Sequence, residues 1–543
     1  MDESIFLARP TKAQLAWQDM ELGLFIHWFP TGWYHEIDES RLQDQGYQKE
    51  LLARVTCEEL DTDQWAQSAL DMGAKYIVFV AKHGLGLCLW QSEVGDFNMK
   101  NAPYRNGQGD PVAMLAASCR KYGLKLGLYL QASTFTHGAA TGGLLPTRQE
   151  QKTYNQIYRA WLTELLSRYG EVVEVWFDGS LQIEVGDILQ KYAPDAMVFQ
   201  SKYATIRWVG QEQGYASDPA WNSVKRYDAL SGVATQRHGN PDGECWMPLE
   251  CDARIRADWG WHDDLASNPL KSVDELMDMY YHSVGHGAVL LLNQAPNPAG
   301  RIIDEDMARM KEFGDEIRRR FGQPLAVTQG EGTELNLNLD AAQPVDHIVL
   351  MEDIRYGERI RAYVVEGFDG HKWRRLCAGS AIGHKKIDYF PAQTVCSLRL
   401  RVLHHVGVPK VRSMAAHYVG TIPQKRSDAI HAAHVIGGWG TEMYDLNTFT
   451  AHFSYQIAPY VDDAGQYRVQ FVPDSASRTP LTLEDTWVEI DGVRMPDYVR
   501  PGQEPLTYEV YMGGTGQDIT FHAVSRYTKT PFLRGEAIIQ RME

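Results

Sequence analysis

No stretch of this chain stays apolar for 18 residues, so no segment reads as a membrane-crossing helix. Positive charge is in deficit: 53 Lys and Arg against 70 Asp and Glu give a formal charge of -17, which argues against nucleic acid or an anionic membrane surface as a partner. Cysteine is sparse and unordered. The seven residues, at positions 57, 88, 119, 245, 251, 377 and 396, form an odd set without metal-type spacing and are expected to be reduced, buried side chains. The chain lacks a His-Glu-x-x-His pair, and no Gly-x-Gly-x-x-Gly follows its first strand-like run, so neither a metal nor a nucleotide cofactor is expected. The opening, Met1–Pro10, is too polar and short for a secretory signal. The chain as given is expected in the cytoplasm, or in a secreted or periplasmic setting if a signal peptide was removed.

Aromatic residues are plentiful, at 11% with 15 Trp and 27 Tyr, a composition suited to stacking sugar rings and also common in large β-rich proteins. The 543 residues are too many for one core. Over 1–323, short apolar runs (Leu22–Ile26, Tyr76–Val80, Leu124–Leu130, Val172–Phe177, Met197–Gln200, Cys245–Leu249, Val289–Asn293) alternate with helical stretches such as Asp61–Met72, Asp110–Tyr122 and Gln149–Tyr169. So many alternations predict a (β/α)8-like barrel. From 324 to 420 the pattern is alternating and β-like, and a second β-rich stretch covers 421–543. Both are expected to be β-sandwiches, the last a candidate for carbohydrate binding.

The segment Glu174-Val-Trp-Phe-Asp-Gly-Ser180 ends an apolar strand on a carboxylate. Trp176 shares the face of Asp178, and a glycine turn follows, which is how a barrel presents a reactive group at its C-terminal rim. A plain helix-capping Asp is the alternative. Similar strand ends recur at Gly23–Pro30, at Ala81–Trp90, at Gly127–Tyr129 and at Arg207–Glu212, and their convergence favours a site over packing.

In order and content these motifs resemble the α-L-fucosidases of glycoside hydrolase family 29. The matching segments are Gly23–Trp28, Lys82-His83 through Cys88-Leu-Trp90, Gly123–Tyr129, Trp176–Gly179, Trp208–Glu212, Glu250–Arg256 followed by Trp259, and Leu291–Asn293. The first sandwich also looks like the discoidin-type module that often follows this catalytic domain. The resemblance implies that Asp178 is the nucleophile and that Glu212 is the acid/base of the subfamily acting on α-1,3/1,4-linked fucose. It sets His27, Trp28, His83, Tyr129, Trp176 and Arg256 at or beside the sugar pocket. Two departures stand out. Gly84 and Leu85 replace a His and an Asp of the family pattern, and Gly287-Ala288 lacks an Asn. The first removes one or two expected polar contacts and leaves two readings: space for a differently substituted sugar or a larger aglycone, or a neighbouring loop side chain that refills the position around an ordinary α-L-fucoside.

A retaining glycosidase needs one ionised and one protonated carboxyl. Asp178, beside a turn offering backbone N–H groups, is suited to the first role; Glu212, after Trp208 and Val209, is expected in a more apolar loop suited to the second. Glu250, ending the run Cys245–Leu249, competes for the acid role. The implied function is retaining, exo-acting hydrolysis of terminal α-linked L-fucose from an oligosaccharide or glycoconjugate. A glycosidase for a relative such as an α-L-galactoside and a non-catalytic carbohydrate-binding protein remain alternatives, and the sequence leaves the oligomeric state open.

Overall fold

The computed structural model describes residues 6–32, 36–229, 238–423, 433–440, 449–461, 464–473, 481–495, 498–503, 506–512, 518–527 and 534–542. Parts of the expected second sandwich lie outside these residues. Eight parallel strands form a nearly closed barrel: β1 (Leu22–Ile26), β2 (Tyr76–Lys82), β3 (Lys125–Leu130), β4 (Val172–Leu181), β5 (Met197–Ser201), β6 (Arg207–Trp208), β7 (Leu249–Arg254) and β8 (Val289–Gln294). Their spatial order, β5-β4-β3-β2-β1-β8-β7-β6, follows the chain around the ring. At the seam between β5 and β6 the amides of Thr205 and Ile206 reach the Val198 carbonyl at 3.0 and 3.4 Å.

Two strands depart from the sequence reading. The run Cys245–Leu249 is not one strand: Cys245–Trp246 pairs with Ser223–Val224 in a short antiparallel ribbon, and β7 begins only at Leu249. Pro248, which has no N–H to donate, separates the two. β6 is two residues long, too short to show a period.

Strand parity divides the barrel's residues between two cores. Ile77, Phe79, Leu126, Leu128, Leu290 and Leu292 face outwards and pack with Trp65, Leu115 and Phe313 of the covering helices. Those helices begin where the sequence supplies caps: Asp61, Asp110, Thr147 and Ser272 each accept an N–H from the first turn that follows. The opposite parity fills the lumen with Phe25, Tyr76, Val78, Tyr129, Trp176, Phe199 and Leu291, so the barrel is a packed core and not a pore. Trp176 and Phe199 stack at 3.6 Å between ring centroids, 9° from parallel. Gly23 contributes by lacking a side chain, since a Cβ there would stand 2.4 Å from the Tyr76 ring.

The helix Lys12–Gln18 plugs the N-terminal mouth, where the Trp17 indole N–H donates to Glu174 at 2.7 Å. Glu250 shares this lower layer, accepting from the Trp176 indole at 2.7 Å and the Tyr76 hydroxyl at 3.3 Å. Neither carboxyl has exposed surface. Burial raises the pKa of both, Glu174 to about 7 and Glu250 well above the usual carboxylate range, where the charge of Glu174 adds to the effect of burial.

Two antiparallel units follow the barrel. In the first, a six-stranded sheet, the long strands Glu334–Glu352 and Lys386–His405 bend at irregularities between Asn338 and Gln343 and between Val345 and His347, and so close over a core of Ile348, Leu350, Tyr363, Val365, Leu398 and Met414. In the second, a five-stranded and a four-stranded sheet enclose Tyr467, Val469, Phe471, Val488, Phe521 and Ile539.

The buried carboxyl pair makes stability depend on pH in a definite direction. An unfolded Glu ionises near pH ~4.3, whereas in the fold Glu174 keeps its proton to about pH 7. The stabilisation from protonation is therefore complete below the unfolded value and is lost as pH rises through the folded one. The apparent Tm should fall between about pH 5 and about pH 8 in scanning calorimetry, and Glu174→Gln should flatten that fall. An unchanged slope in the variant would assign the pH dependence to other groups.

Candidate active site

At the C-terminal mouth, Asp178 stands in the last part of β4 with its Oδ2 accepting from the Tyr129 hydroxyl at 2.8 Å and from the Gln131 amide at 3.4 Å. The chain turns sharply behind it, because Gly179 (φ 78°) and Ser180 (φ 56°) are both left-handed. For Ser180 that conformation costs roughly 1 kcal/mol. The Gln200 side chain compensates by accepting both N–H groups, at 2.8 and 3.3 Å. The turn's donors are thus largely committed to Gln200. Burial pushes the pKa of Asp178 up, the Tyr129 hydroxyl opposes this, and the charge of Glu212 adds to the rise. The Gly179 amide also lowers it, in the direction expected of the glycine turn, but burial outweighs both donors.

An aromatic wall flanks this carboxylate. Tyr129 lies between Trp176 (5.7 Å, 23°) and His83 (5.8 Å, 9°), with His27 6.0 Å away. His27 is anchored through Nδ1 to Asn293 Oδ1 at 2.7 Å, and the Asn293 amide donates to the Trp259 carbonyl at 2.9 Å. Burial holds the pKa of His27 at about 3 and that of His83 well below its usual value, so both rings are neutral. They serve as hydrogen-bonding groups and carry no charge. Lys82 sets the end of β3 by donating to the carbonyls of Gln131 and Ser133 at 2.8 and 3.4 Å.

Glu212 closes the opposite side, on the loop that follows β6. It accepts from the Trp259 indole at 3.1 Å and lies 3.7 Å from Arg254, whose guanidinium covers the Trp259 ring at 5.2 Å. At 45% side-chain exposure it is a half-open residue at the mouth, not one buried in an apolar loop as expected. Beneath it Asp252 is buried and accepts from the Trp208 indole at 2.6 Å. Burial raises Asp252 to about 7 despite that bond, and the charges of Glu212 and Asp178 add to the rise. Three carboxyls therefore act on one another across the pocket.

The structure brings Asp178, Glu212, His27, His83, Tyr129 and Trp176 together and leaves out three residues named from sequence. Glu250 is the second residue of β7, at the closed end of the lumen and without exposed surface, so a leaving-group oxygen has no route to it. Trp28 points outwards into the barrel–helix core, where it meets Trp65 at 5.7 Å and donates to the Asn297 carbonyl at 2.9 Å. Arg256 is tied to Asp306 at 2.6 Å, to Glu305 at 2.8 Å and to the Asn268 carbonyl at 2.8 Å. Asp252, Arg254 and Trp259 occupy the places that Glu250 and Arg256 were expected to take. Extending strand alternation from Glu250 to Asp252 and Arg254 would have found two of them, had the strand been carried past Leu249. Gly84 is buried, and its carbonyl accepts the Phe135 amide at 2.9 Å.

A family model described as Alpha-L-fucosidase matches residues 7–320. The chain is 30% identical over 433 residues to Alpha-L-fucosidase 1 of Arabidopsis thaliana, a match covering 71% of this chain and 82% of that one. Among solved structures it is similar to a GH29 fucosidase of Ruminococcus gnavus in complex with fucose, at TM-score 0.66 and 26% identity over 76% of this chain and 96% of that one. It is also similar, at TM-score 0.65 and 25% identity, to a glycoside hydrolase 29 family member from an unknown rumen bacterium, covering 95% of this chain and 96% of that one.

The two arginines should separate in experiment. Arg256→Met, which leaves two carboxylates around an emptied site, should lower stability by about 3 kcal/mol while the folded protein turns over within about twofold of wild type. Arg254→Met should do the reverse, slowing turnover with little change in Tm. Melting curves and initial rates on purified variants check both, and equal kinetic losses in the two would return Arg256 to the site.

Proposed function

The chain belongs to the alpha-L-fucosidase family, glycoside hydrolase family 29, and on that premise we propose that it releases terminal α-linked L-fucose with net retention, through a covalent intermediate on Asp178. One observation carries this reading: a deep carboxylate and a half-exposed one face the same aromatic pocket and feel each other's charge. The deep group suits attack on the anomeric carbon, away from competing water. The outer one suits the place where the aglycone leaves and water enters.

In the first step ionised Asp178 attacks C1, the glycosidic bond breaks, and Glu212 delivers its proton to the departing oxygen. In the second, Glu212 takes a proton from water as the water displaces Asp178 and restores the free carboxylate. The Tyr129 hydroxyl and Gln131 amide steady Asp178 while it is charged. Neutral His27 and His83 are proposed to take sugar hydroxyls, and Trp176 to support Tyr129 from behind. The linkage proposed is α-1,3/1,4, supported by the position of Glu212 at the end of the segment Trp208–Glu212.

Glu212→Ala should lose about 10²–10⁴-fold in turnover of an unactivated fucoside and recover with azide on an activated aryl fucoside, giving the α-fucosyl azide. A β-azide, or no rescue, would remove Glu212 from the acid/base role. Asp178→Ala should abolish turnover while still binding fucose in calorimetry. Tyr129→Phe removes the side-chain donor that lowers the pKa of Asp178, so the acidic limb of kcat/KM should move to higher pH. An unmoved limb in a pH–rate profile would mean that Asp178 does not set it. Comparing hydrolysis of α-1,2-, α-1,3-, α-1,4- and α-1,6-linked fucosides tests the linkage.

A further inference from the structure

Glu212 sits on a segment that leaves β6 at Trp208 and returns to the barrel only at β7. Its near end is tied to the barrel: the Val209 amide donates to the Glu250 carbonyl at 3.1 Å, and Gln213 bridges Ala253. The middle rests on the helix Val273–His282, through the Tyr215 hydroxyl to Asp278 at 2.9 Å and the Ala216 amide to the His282 carbonyl at 2.7 Å. Between these anchors Gly214 is left-handed, at φ 79°. It lies so close to Ala253 and Met279 that an added Cβ would stand 3.1 Å from each.

Beyond these anchors the segment is gripped by the first sandwich. Lys386, at the start of the strand Lys386–His405, is buried to 6% side-chain exposure and meets Asp218 at 2.6 Å. The same strand enters the barrel's edge, since His286 bridges Lys386 and the Ile387 amide donates to the Gly285 carbonyl at 2.9 Å. Four residues beyond Asp218, buried Glu358 of the same sandwich accepts from the backbone and side-chain amides of Asn222, at 3.0 and 2.8 Å. A buried ammonium aimed at a half-exposed loop carboxylate is a costly way to make a surface contact. It is an effective way to fix where a loop stands.

We propose that Lys386 is a positioning residue for the reaction: through Asp218 it makes the first sandwich hold the Glu212 loop in register with the leaving-group oxygen. This rests on the reading of Glu212 as acid/base. The consequence is specific, because misplacing a proton donor slows substrates that need protonation and spares those whose leaving group departs unaided. A loss of folding slows both alike.

The experiment compares the full-length protein with Lys386→Met, Lys386→Arg and Asp218→Asn on an unactivated fucosyl disaccharide and on 2-chloro-4-nitrophenyl α-L-fucoside. Lys386→Met and Asp218→Asn should slow the disaccharide about tenfold or more and the aryl fucoside by less than about threefold, with Lys386→Arg restoring most of the loss. Equal slowing of both substrates, or no slowing of either, overturns the proposal. Glu212→Ala, run alongside, separates the two claims. If it shows no bias against the disaccharide, the assignment of Glu212 fails first; if it shows that bias and Lys386→Met does not, the role of Lys386 alone fails.

Discussion

Four indole N–H groups, each bonded to one carboxyl, organise the inside of this barrel. Trp17 holds Glu174, Trp176 holds Glu250, Trp208 holds Asp252 and Trp259 holds Glu212. An indole is a donor without an acceptor, so it orients a carboxyl without asking for a bond in return, and its apolar body fills the space around it. The lower pairs seal the closed end and the upper pairs line the open one. Tryptophan thus acts here as a structural partner of acids, in addition to any role as a sugar platform.

The electrostatics of the mouth follow from that arrangement. Burial raises Asp178 and Asp252, and neutral His27 and His83 bring no compensating charge. Arg254, above Trp259 and beside Glu212, is a cation in contact with this group of carboxyls. A pocket with this balance disfavours a further negative charge and accepts a neutral sugar. Within it Asp178 is the deeper of the two facing carboxyls and Glu212 the more exposed.

The first sandwich belongs to the same mechanical unit as the barrel. Besides its grip on the loop after β6, it docks at Tyr281, whose hydroxyl bonds His347 at 2.8 Å, and His347 in turn meets Asp346 at 2.8 Å. These groups are nearly or fully buried, so separating the domains would expose a satisfied polar network to no benefit. A loop braced from two domains has fewer ways to drift than one braced from its own barrel.

Local pattern determined much of this protein. The alternation of apolar runs and capped helices specified the barrel, and the parity of Glu174, Trp176 and Asp178 put one carboxylate at its rim, because side-chain direction along a strand is a property of neighbouring residues. The same parity exposes Asp252 and Arg254, since a start four residues later leaves it unchanged, but the apolar run ends at Leu249 whereas the strand runs on to Arg254. The length of β6, the burial of Arg256 against Asp306, and the contacts of Glu212 with Trp259 and of Asp218 with Lys386 were decided by tertiary structure alone. Those partners lie 47 to 168 residues apart in the chain, and only ring closure and the docking of the sandwich bring them within bonding distance.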